Sequence, residues 1–241
     1  MPESTSRRLK SLVTGGSGAL GGAIISALLA RGDDVVCLDQ RPPAPSDAAY
    51  IPVDITCAAS VDTAMQRAAE RLGRVDVLIH AAGIMRTAAF MDLTEDTFQD
   101  VLEVNLLGAF RVAQRASALM MAHGGRIVLV TSIHGQVGVE GRGAYAASKG
   151  GVASLARVMA AELGQHRIRV NVLAPGAVDG GMLPNPAARQ GWVEATPSNR
   201  VAYLKEVAGV AALLTSEDAS FVNGQVVAVD GGVSTVRQFT G

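Results

Sequence analysis

The chain has 241 residues, of which 49% are hydrophobic and 18% charged, and its 21 basic residues nearly balance 22 acidic ones. This near-neutral, core-rich composition is typical of a globular protein and argues against nucleic acid or an anionic membrane as a partner. Two cysteines form neither a disulfide framework nor a metal cluster, so no metal site is expected. No signal region or membrane-length apolar run is visible, which favours a cytoplasmic location.

Short runs rich in β-branched residues predict the strands. They occupy 11–14, 34–39, 75–80, 126–131, 168–173 and 225–229, with a weaker run at 50–53. Near-continuous apolar strands are typical of a sheet that is covered on both faces. Helical patterns lie between them, at 19–31, 60–72, 95–122, 144–165 and 202–214. The alternation predicts an α/β fold, a doubly wound parallel sheet of about seven strands with helices on both faces.

Two segments fall outside this pattern. Residues 1–8 are polar and are predicted to be a flexible N-terminus, which leaves 9–241 as a single Rossmann-like domain. Residues from about 177 to 200 contain three prolines and three glycines between a strand and a helix. A connection of that length is usually either functional or disordered. We interpret it as a substrate lid, with disorder as the alternative.

The first strand runs into a glycine-rich turn. Gly16, Gly18 and Gly21 satisfy the pattern G-x-G-x-x-G, directly before a helical segment. Glycines let the backbone approach a pyrophosphate closely, and a helix N-terminus offers unpaired N–H groups and a positive dipole end. A strand before the motif and a helix after it are the context that dinucleotide binding requires.

Asp39, at the end of the second strand, indicates which dinucleotide binds. A carboxylate there accepts hydrogen bonds from ribose hydroxyls and repels a 2′-phosphate, so NAD is favoured over NADP. Arg41 is the counter-argument, because a guanidinium binds phosphate well.

Tyr145 and Lys149 lie four residues apart and so share one face of a predicted helix. A neighbouring cation lowers the pKa of a phenol, which would make the pair a general acid/base. The spacing alone is weak, because Tyr and Lys fall four apart on many helices by chance. The Tyr145/Lys149 pair becomes informative because other residues accompany it along the chain in a fixed order: Asp54, Ala81-Ala82-Gly83, Asn105, Ser132 and Pro175-Gly176.

Together with the glycine turn, this order resembles the short-chain dehydrogenase/reductase family, in its single-domain branch of about 250 residues. The resemblance covers the chain from about Leu9 to Val233. It implies that Tyr145 donates and accepts the proton, while Lys149 lowers the pKa of Tyr145 and binds the nicotinamide ribose. It also implies that Ser132 orients the substrate oxygen and that Asn105 holds a water in a proton relay.

The resemblance further implies a set of cofactor contacts at the carboxyl ends of the strands, where ligands bind in such folds. These are Gly15, Ser17, Gly18, Ala19, Leu20, Gly21, Asp39, Asp54, Ile55, Ala81, Ala82, Gly83, Tyr145, Lys149, Pro175, Gly176 and Val178. The chain departs from the family pattern at Ala19, where a glycine is usual, at His80, where an asparagine is usual, and at Gly180, where a threonine is common. We interpret His80 as structural rather than functional.

Substrate contacts are the least specific part of the sequence. His134 and Arg142 flank the catalytic residues, and relatives that act on short hydroxy acids hold a carboxylate with a His and a basic residue in similar places. Met85 and Met182 would instead present apolar surface, which suits an apolar ketone or cyclic alcohol. Both substrate classes stay open, as does a solvent-facing role for His134.

The leading hypothesis is an NAD(H)-dependent alcohol dehydrogenase or carbonyl reductase that acts on a secondary alcohol or ketone. The alternatives are a 3-ketoacyl-carrier-protein reductase that uses NADPH, and a non-catalytic dinucleotide-sensing protein on the same fold. The Asn223–Gln225 segment resembles one that builds tetramer contacts in relatives, and Ala-rich helices suit close packing. We therefore predict a homotetramer, or failing that a homodimer.

Overall fold

The computed structural model describes residues 8–44, 46–182 and 185–236, so residues 1–7 of the predicted flexible N-terminus lie outside the described residues. Seven strands are formed: β1 (Lys10–Thr14), β2 (Asp34–Asp39), β3 (Ala49–Pro52), β4 (Val77–His80), β5 (Gly125–Val130), β6 (Ile168–Pro175) and β7 (Val226–Val229). They pair in the order β3-β2-β1-β4-β5-β6-β7, and every pair is parallel. The predicted doubly wound sheet is confirmed.

Seven α-helices cover the sheet in the described part of the chain: α1 (Ala19–Arg31), α2 (Ala58–Leu72), α3 (Glu95–Leu102), α4 (Gly108–Met120), α5 (Gly143–Leu163), α6 (Pro186–Ala195) and α7 (Leu204–Leu214). On one face α2, α4 and α5 pack against Leu12, Leu78 and Ile127. On the other face α1 and α7 pack against Val13 and Ile79. Alternate strand residues thus enter two separate cores, which explains why the strands read as continuous apolar runs.

The predicted helix at 95–122 is interrupted, which corrects the sequence-based expectation. A π-helical turn, Glu103–Leu107, separates α3 from α4. Asn105 occupies the centre of this turn and is almost completely buried. A π turn widens the helix by one residue and is frequent at functional sites. The π turn therefore places the polar side chain of Asn105 in the interior, whereas the buried faces of α3 and α4 are mostly apolar.

The predicted irregular segment at 177–200 contains α6. Asn185 caps this helix by accepting a hydrogen bond from Ala188 N at 2.8 Å, and Pro186 occupies its first turn. Proline suits that position because its missing N–H is one of the helix's unpaired donors in any case. Pro186 therefore starts a helix within the segment that was interpreted from the sequence as a substrate lid.

Backbone contacts fix the base of this segment. Ala202 N donates to Ala177 O at 3.0 Å and Asp179 N donates to Ala202 O at 2.8 Å, so Val178 and Ala202 form a parallel bridge. At the tip, Arg189 Nε contacts Asp179 Oδ1 at 3.3 Å. The bridge thus holds the beginning and the end of the segment next to each other.

Two further findings concern the described residues as a whole. None of their helices is long and apolar enough to cross a membrane. They also contain no group of three or more His, Cys, Asp or Glu side chains placed to hold a metal ion.

Candidate active site

A cavity of about 750 Å³ lies at the carboxyl ends of the strands, where β1 and β4 adjoin and the strand order reverses. This is the switch point at which open parallel sheets bind ligands. The cavity is lined by all the predicted cofactor and substrate residues except Ser17: Gly15, Gly18, Ala19, Leu20, Gly21, Asp39, Asp54, Ile55, Ala81, Ala82, Gly83, Met85, His134, Arg142, Tyr145, Lys149, Pro175, Gly176, Val178 and Met182. Of the predicted catalytic set, Ser132 also lines it, and Asn105 lies behind its wall.

The glycine turn is packed so tightly that side chains are excluded. Gly15 has a φ of +71°, and an added Cβ would lie 2.6 Å from Ala82 N. At Gly16 a Cβ would lie 2.6 Å from Ile25 Cδ1 and would also meet the sulfur of Cys37. Gly18 is the N-cap of α1 and makes no side-chain cap, so the first amides of the helix point toward the cavity without a protein partner in the described residues. The turn has the shape and polarity that a pyrophosphate needs.

Asp39 sits at the far end of the cavity from the catalytic residues. Its Oδ2 accepts a hydrogen bond from Ser17 N at 3.1 Å, and its Oδ1 accepts one from Arg41 N at 3.2 Å. The Ser17 hydroxyl donates to Arg41 O. Two backbone donors thus fix the Asp39 carboxylate in the cavity lining, where it could accept hydrogen bonds from ribose hydroxyls.

Asp54 and Ile55 form the neighbouring wall. The side chain and backbone of Thr56 both donate to Asp54 Oδ1, at 2.7 and 2.9 Å, and these hydrogen bonds lower the pKa of the Asp54 carboxyl. Ile55 packs against Gly108, where a Cβ would lie 2.9 Å from Ile55 Cδ1. This wall is consistent with an adenine site.

Tyr145 and Ser132 meet at the other end. Tyr145 lies in the first turns of α5 and is 8% exposed, and Ser132 follows β5 and is equally buried. Burial raises the pKa of Tyr145, while a hydrogen bond with Ser132 and the charge of Arg142 oppose that rise. Both residues line the cavity at this end, where their hydroxyls could contact one substrate oxygen.

Lys149 lies beside Tyr145, as the four-residue spacing on one helix face predicted. Its Nζ lies 5.6 Å from the centre of the Tyr145 ring and donates to Val130 O at 3.1 Å. Burial lowers the pKa of Lys149 to about 8. Burial of the phenol raises the pKa of Tyr145, and Lys149 is not among the groups that oppose this rise, so the expected lowering of the Tyr145 pKa by Lys149 stays a prediction.

Asn105 links the π turn to the cavity wall. Its Oδ1 accepts from Ile84 N at 2.8 Å, while its Nδ2 donates to Ile84 O at 2.9 Å and to Ser148 Oγ at 3.0 Å. A Cβ on Gly83 would lie 3.0 Å from Asn105 Oδ1 and 3.3 Å from Lys149 Nζ. Because Gly83 has no side chain, Asn105 Oδ1 and Lys149 Nζ can both lie close to this position.

His80 lies within the sheet and outside the cavity lining. Its Nδ1 shares a 2.8 Å hydrogen bond with Thr14 Oγ1, which joins β1 to β4 directly below the glycine turn. Burial lowers the pKa of His80 to about 3, and its Nε2 has no partner among the described residues. The neutral imidazole thus braces the sheet, in agreement with the structural role expected for it.

The substrate end is closed by side chains from three elements. His134 sits between Tyr145, at 5.9 Å between ring centres, and Trp192 of α6, at 5.6 Å. Arg142 donates through Nη1 to Thr87 Oγ1 at 2.6 Å and forms the rim. Met182 is 55% exposed at the lid edge.

Trp192 is the residue that the sequence reasoning missed. It lies in the segment predicted to be an irregular lid, and only the helical phase of α6 turns it inward. The available signal was that it is the single tryptophan of the chain and stands in a segment interpreted as a lid.

Comparisons with known proteins agree with this geometry. Residues 17–234 match the family model described as enoyl-(acyl carrier protein) reductase. The chain is 40% identical over 225 residues to 3-oxoacyl-[acyl-carrier-protein] reductase MabA of Mycobacterium tuberculosis, covering 92% of this chain and 91% of that protein. It is 31% identical over 237 residues to 3-oxoacyl-[acyl-carrier-protein] reductase FabG of Escherichia coli, covering 94% of this chain and 97% of that protein.

Solved structures give the same result for the fold. The crystal structure of gox2181 is 31% identical to the chain with a TM-score of 0.88, and the match covers 95% of this chain and 96% of that one. Aldohexose dehydrogenase of Thermoplasma acidophilum is 24% identical with a TM-score of 0.91, covering 97% of both chains. Motif order, sheet topology and these matches together show that the chain belongs to the short-chain dehydrogenase/reductase family of oxidoreductases.

Proposed function

We propose that this oxidoreductase interconverts a carbonyl and a secondary alcohol, with Tyr145 moving the proton. The observation that carries the proposal is the meeting of the Tyr145 and Ser132 hydroxyls at one end of a cavity whose other end has a glycine turn and a carboxylate. A nicotinamide dinucleotide in that cavity would supply or accept the hydride. The protein's own contribution is to hold the substrate oxygen and to exchange a proton with it.

Each catalytic residue has a role that follows from its contacts. Ser132 orients and polarises the substrate oxygen, and Tyr145 donates to it during reduction. Lys149, whose lowered pKa of about 8 lies close to neutral pH, is well placed to return a proton to the site. Asn105 keeps the Ile84 backbone and α5 in register around that lysine.

NADH is the cofactor that Asp39 favours. Two backbone amides already orient its carboxylate, and a 2′-phosphate in the same place would meet a fixed negative charge. Arg41 is the opposing influence, because its side chain forms no ion pair within the described residues and lines the cavity. We propose NADH as the preferred cofactor, with NADPH the weaker of the two.

The substrate we propose is a 3-oxoacyl thioester. The curated relatives MabA and FabG, at 40% and 31% identity, are named as reductases of that class. A simple ketone or secondary alcohol is the second candidate. It is favoured by Asp39, because the NAD preference suits an alcohol dehydrogenase better than a biosynthetic reductase.

The experiment is a matrix of two cofactors and two substrate classes, followed by nicotinamide absorbance at about 340 nm. A short 3-oxoacyl thioester and a simple methyl ketone are each tested with NADH and NADPH. We expect turnover with NADH to exceed that with NADPH, and Asp39→Ala to reduce that preference. Tyr145→Phe should abolish turnover while the cofactor still binds, and near-full activity of this variant would refute the role of Tyr145. A wild-type protein that binds NADH and reduces no carbonyl would instead support a sensing role.

A further inference from the structure

Two polar atoms at the substrate end of the cavity have no partner. Both ring nitrogens of His134 are shielded from solvent, and neither forms a hydrogen bond with the described residues. Leaving a buried polar atom unpaired is costly, and such atoms in native structures are rare. Here the atoms border the cavity, so a bound molecule is the natural partner for them.

The position of this imidazole places it next to the reacting centre. Its ring meets that of Tyr145 edge-on, with an angle of 76° and 5.9 Å between centres. The backbone N–H of His134 also donates to Ser132 Oγ at 3.2 Å. Because His134 touches both residues that hold the reacting oxygen, it faces the substrate atoms immediately beside that oxygen.

Trp192 lies against the imidazole, and backbone contacts fix the helix end that carries it. Its carbonyl accepts hydrogen bonds from Thr196 N at 3.0 Å and from Thr196 Oγ1 at 2.6 Å, and Thr196 is 4% exposed. Thr196 in turn packs against Gly231, where a Cβ would lie 2.6 Å from Thr196 Cγ2. These contacts fix the end of α6 that carries Trp192, and its indole lies 5.6 Å from the imidazole between ring centres, beside ring nitrogens that are shielded from solvent. A hydrogen bond made in such a shielded place contributes strongly to specificity.

The charge state of His134 selects the kind of group it receives. Burial and the nearby Arg142 charge lower its pKa to about 4, so the ring is neutral at neutral pH. A neutral imidazole offers one N–H donor and one acceptor, and it does not balance the charge of a carboxylate. An uncharged carbonyl oxygen matches the donor. This differs from the carboxylate grip that the hydroxy-acid resemblance implied.

We propose that His134 donates a hydrogen bond to the second carbonyl of a 1,3-dicarbonyl substrate, an ester or thioester of a 3-oxo acid, and that Trp192 shields this bond. The proposal rests on the proposed function, since Tyr145 and Ser132 must hold the first carbonyl. His134 and Trp192, which lie on different elements of the fold, would together select the substrate class.

The test compares two substrates that differ in one carbonyl, ethyl 3-oxobutanoate and 4-ethoxybutan-2-one, by kcat/KM with NADH. His134→Leu should lower kcat/KM for the ester about fivefold more than for the ether ketone, which is the value of one net hydrogen bond. His134→Gln keeps a donor and should restore part of the ester activity. Trp192→Leu exposes the bond to water and should lower the ratio between the two substrates. His166→Leu, at the opposite edge of the sheet, is the matched control for a histidine-to-leucine change.

The outcomes separate this inference from the proposed function. Reduction of neither ketone by the wild-type protein would refute the proposed function itself. Reduction of both ketones, with an equal loss or no loss for the two substrates in His134→Leu, would refute only the assignment of His134. The free anion of 3-oxobutanoate is the third substrate: if the wild type prefers it and His134→Leu loses most with it, the site binds a carboxylate and our inference is wrong. If His134→Leu does not fold, as judged by thermal melting, the ratio in His134→Gln decides between the same outcomes.

Discussion

Gly21 allows the sharpest test of how the glycine turn is built. A Cβ at this position would lie 2.7 Å from Gly15 C and 2.8 Å from Gly16 Cα, and closer still to the Gly15 carbonyl oxygen. All three neighbours are backbone atoms, so no side-chain rotation relieves the overlap. Gly21→Ala must therefore push α1 away from the turn or deform the turn itself.

The size of the effect follows from two opposing contributions. Overpacking a well-packed site costs about 1–3 kcal/mol, and replacing glycine by alanine inside a helix returns about 1 kcal/mol. We expect the free energy of unfolding to fall by up to about 2 kcal/mol. We also expect the dissociation constant for NADH to rise about tenfold, which corresponds to about 1.4 kcal/mol, because the displaced amides no longer match the pyrophosphate.

Gly22 is the matched control, since it lies one residue further along the same helix. A Cβ there would lie 3.6 Å from Gly16 O, an ordinary contact. Gly22→Ala should therefore be neutral or slightly stabilising, with unchanged NADH affinity. Urea denaturation and a fluorescence titration with NADH measure both quantities. Equal stabilities and equal affinities for the two variants would refute the reasoning about the turn.

Two further predictions concern buried polar residues. Asn105→Ala leaves the Ile84 backbone amide and carbonyl without their partner, so the free energy of unfolding in urea should fall by about 3 kcal/mol, and a wild-type midpoint would contradict this. The pKa of His80 is about 3 in the folded protein, against an ordinary value of 6.5 for a solvated imidazole, so between these values the unfolded chain binds a proton that the folded one does not. Stability should therefore fall as the pH falls through that window, by up to about 1.4 kcal/mol per pH unit from this group. His80→Asn should give a shallower slope between about pH 6 and 4 in urea titrations, and a slope equal to that of the wild type would show that His80 is not responsible.

The predicted homotetramer stays a prediction. Within the described part of the chain, Asn223 uses its side chain internally: its Oδ1 accepts from Val170 N at 2.8 Å and its Nδ2 donates to Ala160 O at 3.2 Å. Light scattering coupled to size-exclusion chromatography measures the assembly directly. A monomer at micromolar concentration would contradict the prediction.

Strands were the part of the fold that could be predicted best from the sequence. Ile168–Pro175 and Asp34–Asp39 are rich in buried apolar residues because both faces of the sheet are covered, and that burial leaves a signal along most of each strand. The positions of the site residues could also be predicted from the sequence, since Gly15 and Ser132 follow strands and Asp39 ends one. The cavity brings these together as expected.

Features that depend on distant contacts could not be predicted in this way. The π turn at Asn105 exists together with hydrogen bonds to Ile84 and Ser148, which lie 21 and 43 residues away. Trp192 lines the cavity from α6, a helix that the proline- and glycine-containing segment did not indicate. The pKa of Tyr145 depends on how deeply the phenol is buried, a quantity that the four-residue spacing to Lys149 does not contain.

The two cysteines differ in a way that makes the protein convenient to label. Cys37 is buried against Gly16, and its burial raises the pKa of the thiol to about 11, so it holds almost no reactive thiolate near pH 8. Cys57 is exposed and is the N-cap of α2, close to the cavity wall formed by Asp54 and Ile55. A maleimide dye added to the unmodified protein should therefore attach at a single position, beside the cofactor cavity, where its emission would report cofactor entry in real time.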